Sequence, residues 1–268
     1  MTRIIHLSDL HFGRARPELL APLSTAIQEA APDLVVVSGD LSQRARNHEF
    51  REARGFLDAL GARWMAVPGN HDIPLFQPVS RILRPYRTYR EWIAWDLEPV
   101  AELDDALVVG VNTVDRFAHQ RGKARFGAMR HVCETVEQAG RNKLCIVVAH
   151  HPFEQTASVE KKPMKRAGLA LDKLKGCGAH LVLSGHLHMW HAGPFVTRPG
   201  VSGPVQVHAG TSLSTRLRGE VNDFAVLDVE GQNLCITRMA VESDGIDFRE
   251  MEQTHFRREG RGLLRVEA

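Results

Sequence analysis

Residues 3–13 read Arg-Ile-Ile-His-Leu-Ser-Asp-Leu-His-Phe-Gly. Arg3 to Leu7 is short and mostly apolar, which suits a strand buried on both faces. It stops at Ser8-Asp9, and Asp9 with His11 makes a D-x-H pair. The same pattern recurs down the chain. Residues 34–37 (LVVV) stop at Ser38-Gly39-Asp40, and residues 64–67 stop at Pro68-Gly69-Asn70. Residues 106–111 end at Asn112, 144–149 at His150, and 180–183 at Ser184-Gly185-His186. Between these runs lie segments of helical periodicity. Residues 18–30 and 47–60 carry apolar stripes, 85–96 and 127–139 also read as helical, and 169–175 is a shorter candidate. Strand alternating with helix predicts an α/β fold.

The last third changes character. Residues 190–197, 205–209, 223–229 and 234–241 read as a β-meander with no crossover helices. Its turn signals are Arg198-Pro199-Gly200, Ser202-Gly203-Pro204 and Glu230-Gly231. Beyond Asp244 the chain is polar and charged. Residues 1–243 are expected to form a single domain and residues 244–268 a polar C-terminal tail.

Nearly every strand end carries a metal-ligand residue. Asp9 and His11, Asp40, Asn70 within Gly69-Asn70-His71-Asp72, His150, and His186 with His188 come from five separate segments. In an open α/β sheet the carboxyl ends of the strands converge on one crevice, so these segments should make one cluster. Skipping one residue on extended chain puts both members of a D-x-H or H-x-H pair on one face. The set is oxygen and imidazole without thiolate, which fits Mn, Fe or Zn and does not choose among them. Seven ligands are too many for one tetrahedral ion but suit two ions sharing a carboxylate, with Asp40 the candidate bridge.

Composition narrows the field. The 268 residues are 43% hydrophobic and 25% charged, an ordinary globular profile. The net charge of +2 gives no overall basic field, so nucleic acid is not favoured as a partner. Cys133, Cys145, Cys177 and Cys235 form no C-x-x-C pair and are expected to be reduced, buried thiols of a reducing compartment. Without a leader-like N-terminus or an 18-residue apolar run, the expectation is a cytoplasmic protein with no membrane span. A homodimer is compatible with the sequence, which does not fix the oligomeric state.

Taken together, Asp9-Leu10-His11, Gly39-Asp40, Gly69-Asn70-His71-Asp72, His150-His151-Pro152 and Gly185-His186-Leu187-His188 resemble the calcineurin-like metallophosphoesterases. They are most similar to the class III cyclic-nucleotide phosphodiesterase branch. The resemblance covers about residues 4 to 190. It implies a four-layer α/β/β/α sandwich of two mixed sheets flanked by helices, with the meander in the second sheet. It also implies a binuclear centre of two divalent or trivalent ions. Asp9, His11 and His188 would hold one, Asn70, His150 and His186 the other, and Asp40 would bridge them. The implied enzyme is a phosphoric diester hydrolase in which a metal-bridging hydroxide attacks phosphorus. His71 would be the general acid and Asp72 the group that orients it. The implied substrate is a small phosphodiester, with 3′,5′-cyclic nucleotides the first candidate. A nuclease and a phospholipid or pyrophosphate-diester hydrolase are the alternatives, and a non-catalytic scaffold is the alternative of another class. No apolar cap with a membrane-facing patch stands out in the sequence.

Other histidines read as structural. His6 lies inside the first strand, His151 points away from its ligand neighbour, and His208 lies on the meander. Arg14, Arg16, Arg44, Arg46, Arg121, Lys123, Arg125, Lys161, Lys162, Lys165 and Arg166 follow the strand ends, as an electropositive rim or as ordinary solvated loops.

Overall fold

Two mixed sheets stack face to face, each with helices on its outer side. The computed structural model describes residues 1–139, 142–155, 161–195, 204–242 and 245–267. In chain order the elements are β1 (Thr2–Leu7), α1 (Leu20–Ala30), β2 (Leu34–Val37), α2 (Asn47–Ala59), β3 (Trp64–Ala66), α3 (Pro78–Leu83), α4 (Arg87–Trp92), β4 (Val100–Glu102), β5 (Ala106–Val111), α5 (Phe126–Gln138), β6 (Leu144–Ala149), α6 (Ala167–Cys177), β7 (Leu181–Ser184), β8 (His191–Pro194), β9 (Val205–His208), β10 (Asp223–Glu230), β11 (Asn233–Val241), β12 (Phe248–Glu259) and β13 (Gly262–Val266). The first sheet runs β13-β12-β11-β10-β1-β2-β3 and the second β4-β5-β6-β7-β9-β8. The segments β1-β2-β3 and β5-β6-β7-β9 are parallel. These strands end on one edge, which is where the ligand residues gather.

Period-two alternation splits each strand between two cores. Ile4, Leu34, Val36 and Leu227 meet Val108, Ile146, Val148 and Leu183 between the sheets. Ile5, Leu7, Val35 and Val37 face outward onto Leu23 and Ile27 of α1 and Phe50 and Leu57 of α2. Val109, Val147 and Val182 face Met129 and Val132 of α5 and Leu171 and Leu174 of α6. The four-layer sandwich follows, because continuous apolar strands need cover on both faces.

Several expectations are corrected. The helix expected over 85–96 is the shorter α4, and a further short helix that was not expected, α3, precedes it, with Pro85 between the two. Arg84 leaves the helical region (φ −138°, ψ 53°), as the residue before a proline tends to. The expected meander is divided: β8 and β9 extend the second sheet, while β10 to β13 extend the first. The expected tail is a hairpin of two strands. β12 pairs antiparallel with β11 and with β13. Its charged residues misled because only Phe248, Thr254 and Phe256 on it are buried, as suits a strand near a sheet edge. Cys133 and Cys177 are joined by a disulfide linking α5 to α6, against the expectation of four reduced thiols; Cys145 and Cys235 are free. The turns expected at 198–200 and 202–203 and the domain boundary at 243–244 lie outside the described residues. Among the described residues, no helix is long and apolar enough to cross a membrane.

Candidate binuclear metal centre

Loops at the strand ends deliver the site, and backbone bonds lock them together. The Asp9 amide donates to the Gly39 carbonyl (3.1 Å) and the His11 amide to the Asp40 carbonyl (2.9 Å), tying the first two motifs side by side. Asp9, His11, Asp40, His186 and His188 all lie in the left-handed backbone region, with φ between 46° and 69°. Non-glycine residues seldom adopt it, although Asp and His do so more than most. The turn swings each side chain off the strand axis and into the crevice. The glycines of the motifs make room: a Cβ on Gly69 would run into the Asp40 side chain and backbone nitrogen, and one on Gly185 into Ser8 and Asp9.

The structure brings all seven expected ligands together. Asp9 Oδ1 lies 3.1 Å from Nε2 of His188 and 3.5 Å from Nε2 of His11. Asp40 Oδ2 lies 3.7 Å from Nε2 of His11 and 3.3 Å from Nε2 of His150. Around His150 Nε2 stand Asn70 Oδ1 at 3.2 Å and His186 Nδ1 at 3.3 Å. Donor atoms about 2.0–2.2 Å from one ion sit roughly 3–3.5 Å from each other in tetrahedral or octahedral geometry, so these separations are those of neighbouring ligands.

The other atom of each carboxylate is already engaged. Asp9 Oδ2 accepts from the Ser8 hydroxyl (2.6 Å) and the His186 amide (2.8 Å). Asp40 Oδ1 accepts from the His71 amide (2.8 Å). Backbone carbonyls set two tautomers: His150 Nδ1–H donates to Ser38 (2.9 Å) and His188 Nδ1–H to Arg216 (2.7 Å), leaving both Nε2 lone pairs free to ligate. Asp9 Oδ1 is buried and has no hydrogen-bond partner among the described residues, a state that a bound cation would relieve. The residues therefore fit two ions.

Electrostatics agree. Burial opposes ionisation of Asp9, but His188 and His11 hold its carboxyl well below the usual range. For Asp40, His150, His71 and His11 overcome the same opposition. His150 is pushed up to about 9: burial works against its charge, and Asp40 and Asp9 outweigh it.

His71 stands at the rim of the centre, its ring edge-on to His11 with centroids 4.8 Å apart. Its Nδ1–H donates to the Gln43 carbonyl (2.8 Å), so Nε2 is the free atom and accepts from Arg216 Nη1 (3.1 Å). Burial lowers its pKa, and Arg216 adds to that.

The role expected for Asp72 is corrected. Its carboxylate accepts from the amides of Leu41 (3.2 Å), Ser42 (2.8 Å) and Gly69 (2.9 Å) and from the Ser42 hydroxyl (2.9 Å). It braces the Asp40 loop against the Asn70 loop, while Gln43 orients the imidazole of His71. We expect Asp72→Ala to strand three buried amides at about 1–3 kcal/mol each. Thermal melts should fall and metal content drop with them. An unchanged melting temperature, with a loss confined to poor leaving groups, would restore the orienting role.

His151 packs against the rings of His150 and His186, yet both its nitrogens are spent on Thr113 (2.9 Å) and the Gln120 carbonyl (3.0 Å). His6 and His208 are buried core histidines: Nε2 of His208 bonds Gln206 and Nε2 of His6 bonds Ser38, while Nδ1 of His6 has no hydrogen-bond partner among the described residues. Arg216 was missed because nothing near it in sequence marks it. It arrives on the loop after β9, where Thr211 donates to the Asp9 carbonyl (2.6 Å) and the Ser212 amide to the Ser8 carbonyl (3.0 Å). Lys161, one of many basic loop residues in the sequence, comes to His186, with Nζ 2.6 Å from its carbonyl.

The model of the family described as calcineurin-like phosphoesterase matches residues 2–190. A cAMP/cGMP dual specificity phosphodiesterase of Mycobacterium tuberculosis is 24% identical over 217 residues, covering 73% of this chain and 64% of that protein. A UDP-2,3-diacylglucosamine pyrophosphatase of Chlamydia muridarum is 34% identical over 82 residues, covering 30% of this chain and 24% of that protein. The chain thus spans less than two thirds of the length of these curated relatives. Among solved structures, a dimetal phosphatase from Danio rerio superposes with a TM-score of 0.68 at 12% identity, covering 95% of this chain and 98% of that one. The likeness supports the fold. With the family model spanning most of the chain, the protein belongs to the calcineurin-like phosphoesterase family.

Proposed function

We propose that the chain is a binuclear metal-dependent phosphodiesterase acting on small phosphodiesters, with 3′,5′-cyclic nucleotides the first candidates. The observation that carries this reading is the place of Asp40 Oδ2, between Nε2 of His11 in one ligand group and Nε2 of His150 in the other. Asp9, His11 and His188 would hold one ion, Asn70, His150 and His186 the second, and Asp40 both. Mn, Fe or Zn suits these donors. Two ions bound there supply Lewis acidity and a nucleophile at neutral pH.

The chain's own residues do the rest. Arg216, beside His71, and Lys161, beside His186, would give the phosphoryl group two cations. A phosphate oxygen that engages Arg216 draws its guanidinium from His71 Nε2. Without the guanidinium beside it, that nitrogen can take up a proton from solvent and hand it to the leaving oxygen, while Gln43 keeps the ring in place. The mycobacterial relative, by its name, acts on cyclic nucleotides, which favours that substrate class here.

Metal-stripped protein reloaded with Mn, Fe or Zn should hydrolyse bis(p-nitrophenyl) phosphate and 3′,5′-cyclic AMP. Arg216→Ala should lower kcat/KM by roughly ten- to a hundredfold, the worth of the about 1.5–3 kcal/mol of a hydrogen bond to a charged group. Metal-dependent turnover of monoesters alone would sink the diesterase reading, and no turnover with any of the three metals would sink the enzyme.

A further inference from the structure

Beside the metal centre the chain exposes a surface that the proposed chemistry does not use. It begins at Phe76, four residues past Asp72, and is built from the chain leading into α3, α3 itself and the loop at 116–119. Phe76 is 77% exposed, Val79 68%, Leu83 71% and Phe117 70%, with Ile82 partly exposed among them. Single exposed apolar residues are ordinary, but five grouped on two adjoining segments are not.

The platform is firmly built. Arg81 is buried and donates to three carbonyls: Pro74 (3.0 Å), Arg116 (3.0 Å) and Ala118 (2.6 Å). Arg116 donates in turn to the Ile82 carbonyl (2.9 Å). These bonds pin the helix and the loop together with their apolar side chains outward. Arginines edge the patch: Arg44 lies 5.6 Å from the Phe76 ring and Arg116 5.0 Å from the Phe117 ring, and Arg84 and Arg87 are exposed on the α3–α4 turn. Residues 73–90 contain four arginines and no carboxylate, and residues 116–126 four cations and no carboxylate. The protein as a whole is nearly neutral, so this one-signed charge is local.

We propose that this face docks on an anionic lipid surface. Its apolar side chains would enter the boundary between headgroups and acyl chains, and its arginines would keep their charge at the phosphates. The cation-only rim argues against a second copy of this chain, since a two-fold contact would set arginines against arginines with no acid between them. The aliphatic residues argue against nucleic acid, which gains nothing from Val79, Ile82 and Leu83. Because Arg44 contacts both Phe76 and His71 Nδ1 (3.3 Å), docking would bring the metal centre to the membrane plane. The surface does not depend on the phosphodiesterase reading, and the two can fail separately.

Co-sedimentation at low salt with vesicles of phosphatidylcholine alone, and of phosphatidylcholine mixed with phosphatidylglycerol, tests the proposal. The full chain should pellet with the mixed vesicles and far less with the neutral ones. Phe76→Ser, Leu83→Ser and Phe117→Ser combined should cut binding at least tenfold. Arg84→Gln and Arg87→Gln together should cut it about fivefold per arginine, the fold-change equivalent to about 1 kcal/mol each. Far-UV circular dichroism and melting temperature should stay at the wild-type level in both variants, which shows that they fold. Failure of the wild type to pellet, or pelleting unchanged in the variants, overturns the proposal. So does a dimer in analytical ultracentrifugation that the serine variant converts to monomer, or oligonucleotide binding lost in that variant without any vesicle binding.

Discussion

Asp40→Ala is expected to abolish turnover and to leave the protein holding at most one ion. One oxygen of this carboxylate faces both ligand groups, and the other holds the amide of His71. Removing it therefore breaks the bridge and loosens the Asn70 loop together. The loss should exceed the roughly 10–100-fold penalty of deleting a group that merely supports a ligand. Metal analysis and steady-state kinetics on the same preparation check this. Two ions retained at full activity would rule out Asp40 as the bridge. A second readout follows from charge. His150 is held at about 9 against the cost of burial, chiefly by Asp40. Below about 9 the metal-free ring is protonated and must lose that proton to ligate, so metal affinity should weaken as pH falls. In the alanine variant His150 loses this support. Calorimetry in buffers of different ionisation heat should then find fewer protons released per ion bound than in the wild type.

His71→Ala is expected to separate substrates by leaving group. The p-nitrophenolate ion departs without help, whereas an alkoxide needs a proton. Hydrolysis of bis(p-nitrophenyl) phosphate should persist, and hydrolysis of 3′,5′-cyclic AMP should fall by roughly 10²–10⁴. The ion content should not change, because Nδ1 bonds Gln43 and Nε2 faces Arg216. Equal losses on both substrates would make His71 a phosphate contact or a structural residue, and no loss on either would remove it from the reaction.

The clustering of the candidate ligands was legible in the sequence because each sits at or just past the end of an apolar strand, and parallel strands deliver their ends to one edge. The sandwich was legible for a related reason: runs such as LVVV have no polar face and need cover on both sides. Where charge masks pairing, sequence reasoning failed. β12 carries Arg249, Glu250, Glu252, Arg257, Arg258 and Glu259, and what makes it a strand is its ladder to β11 and β13, a non-local fact. Asp72 was misjudged because adjacency to His71 says nothing about where a side chain on a turn points; it points back to the amides of Leu41, Ser42 and Gly69. Arg216 could not be found at all. Its place depends on a loop folding over the first motif from more than 200 residues away.

The five left-handed ligand positions bear on how such a site can be lost. Each non-glycine residue held in that region costs of order 1–3 kcal/mol, and Asp9, His11, Asp40, His186 and His188 bear that cost together. Until cations draw on these side chains, the centre is a liability that the three apolar cores must carry. Glycine would adopt the same turns without the penalty. His188→Gly should thus melt higher than His188→Ala when both are metal-free, although neither could hold its ion. Retention of these residues is then a running selection against the fold's own preference. A descendant freed from catalysis would be expected to relax toward glycine or asparagine at these turns first, with the sandwich around them unchanged.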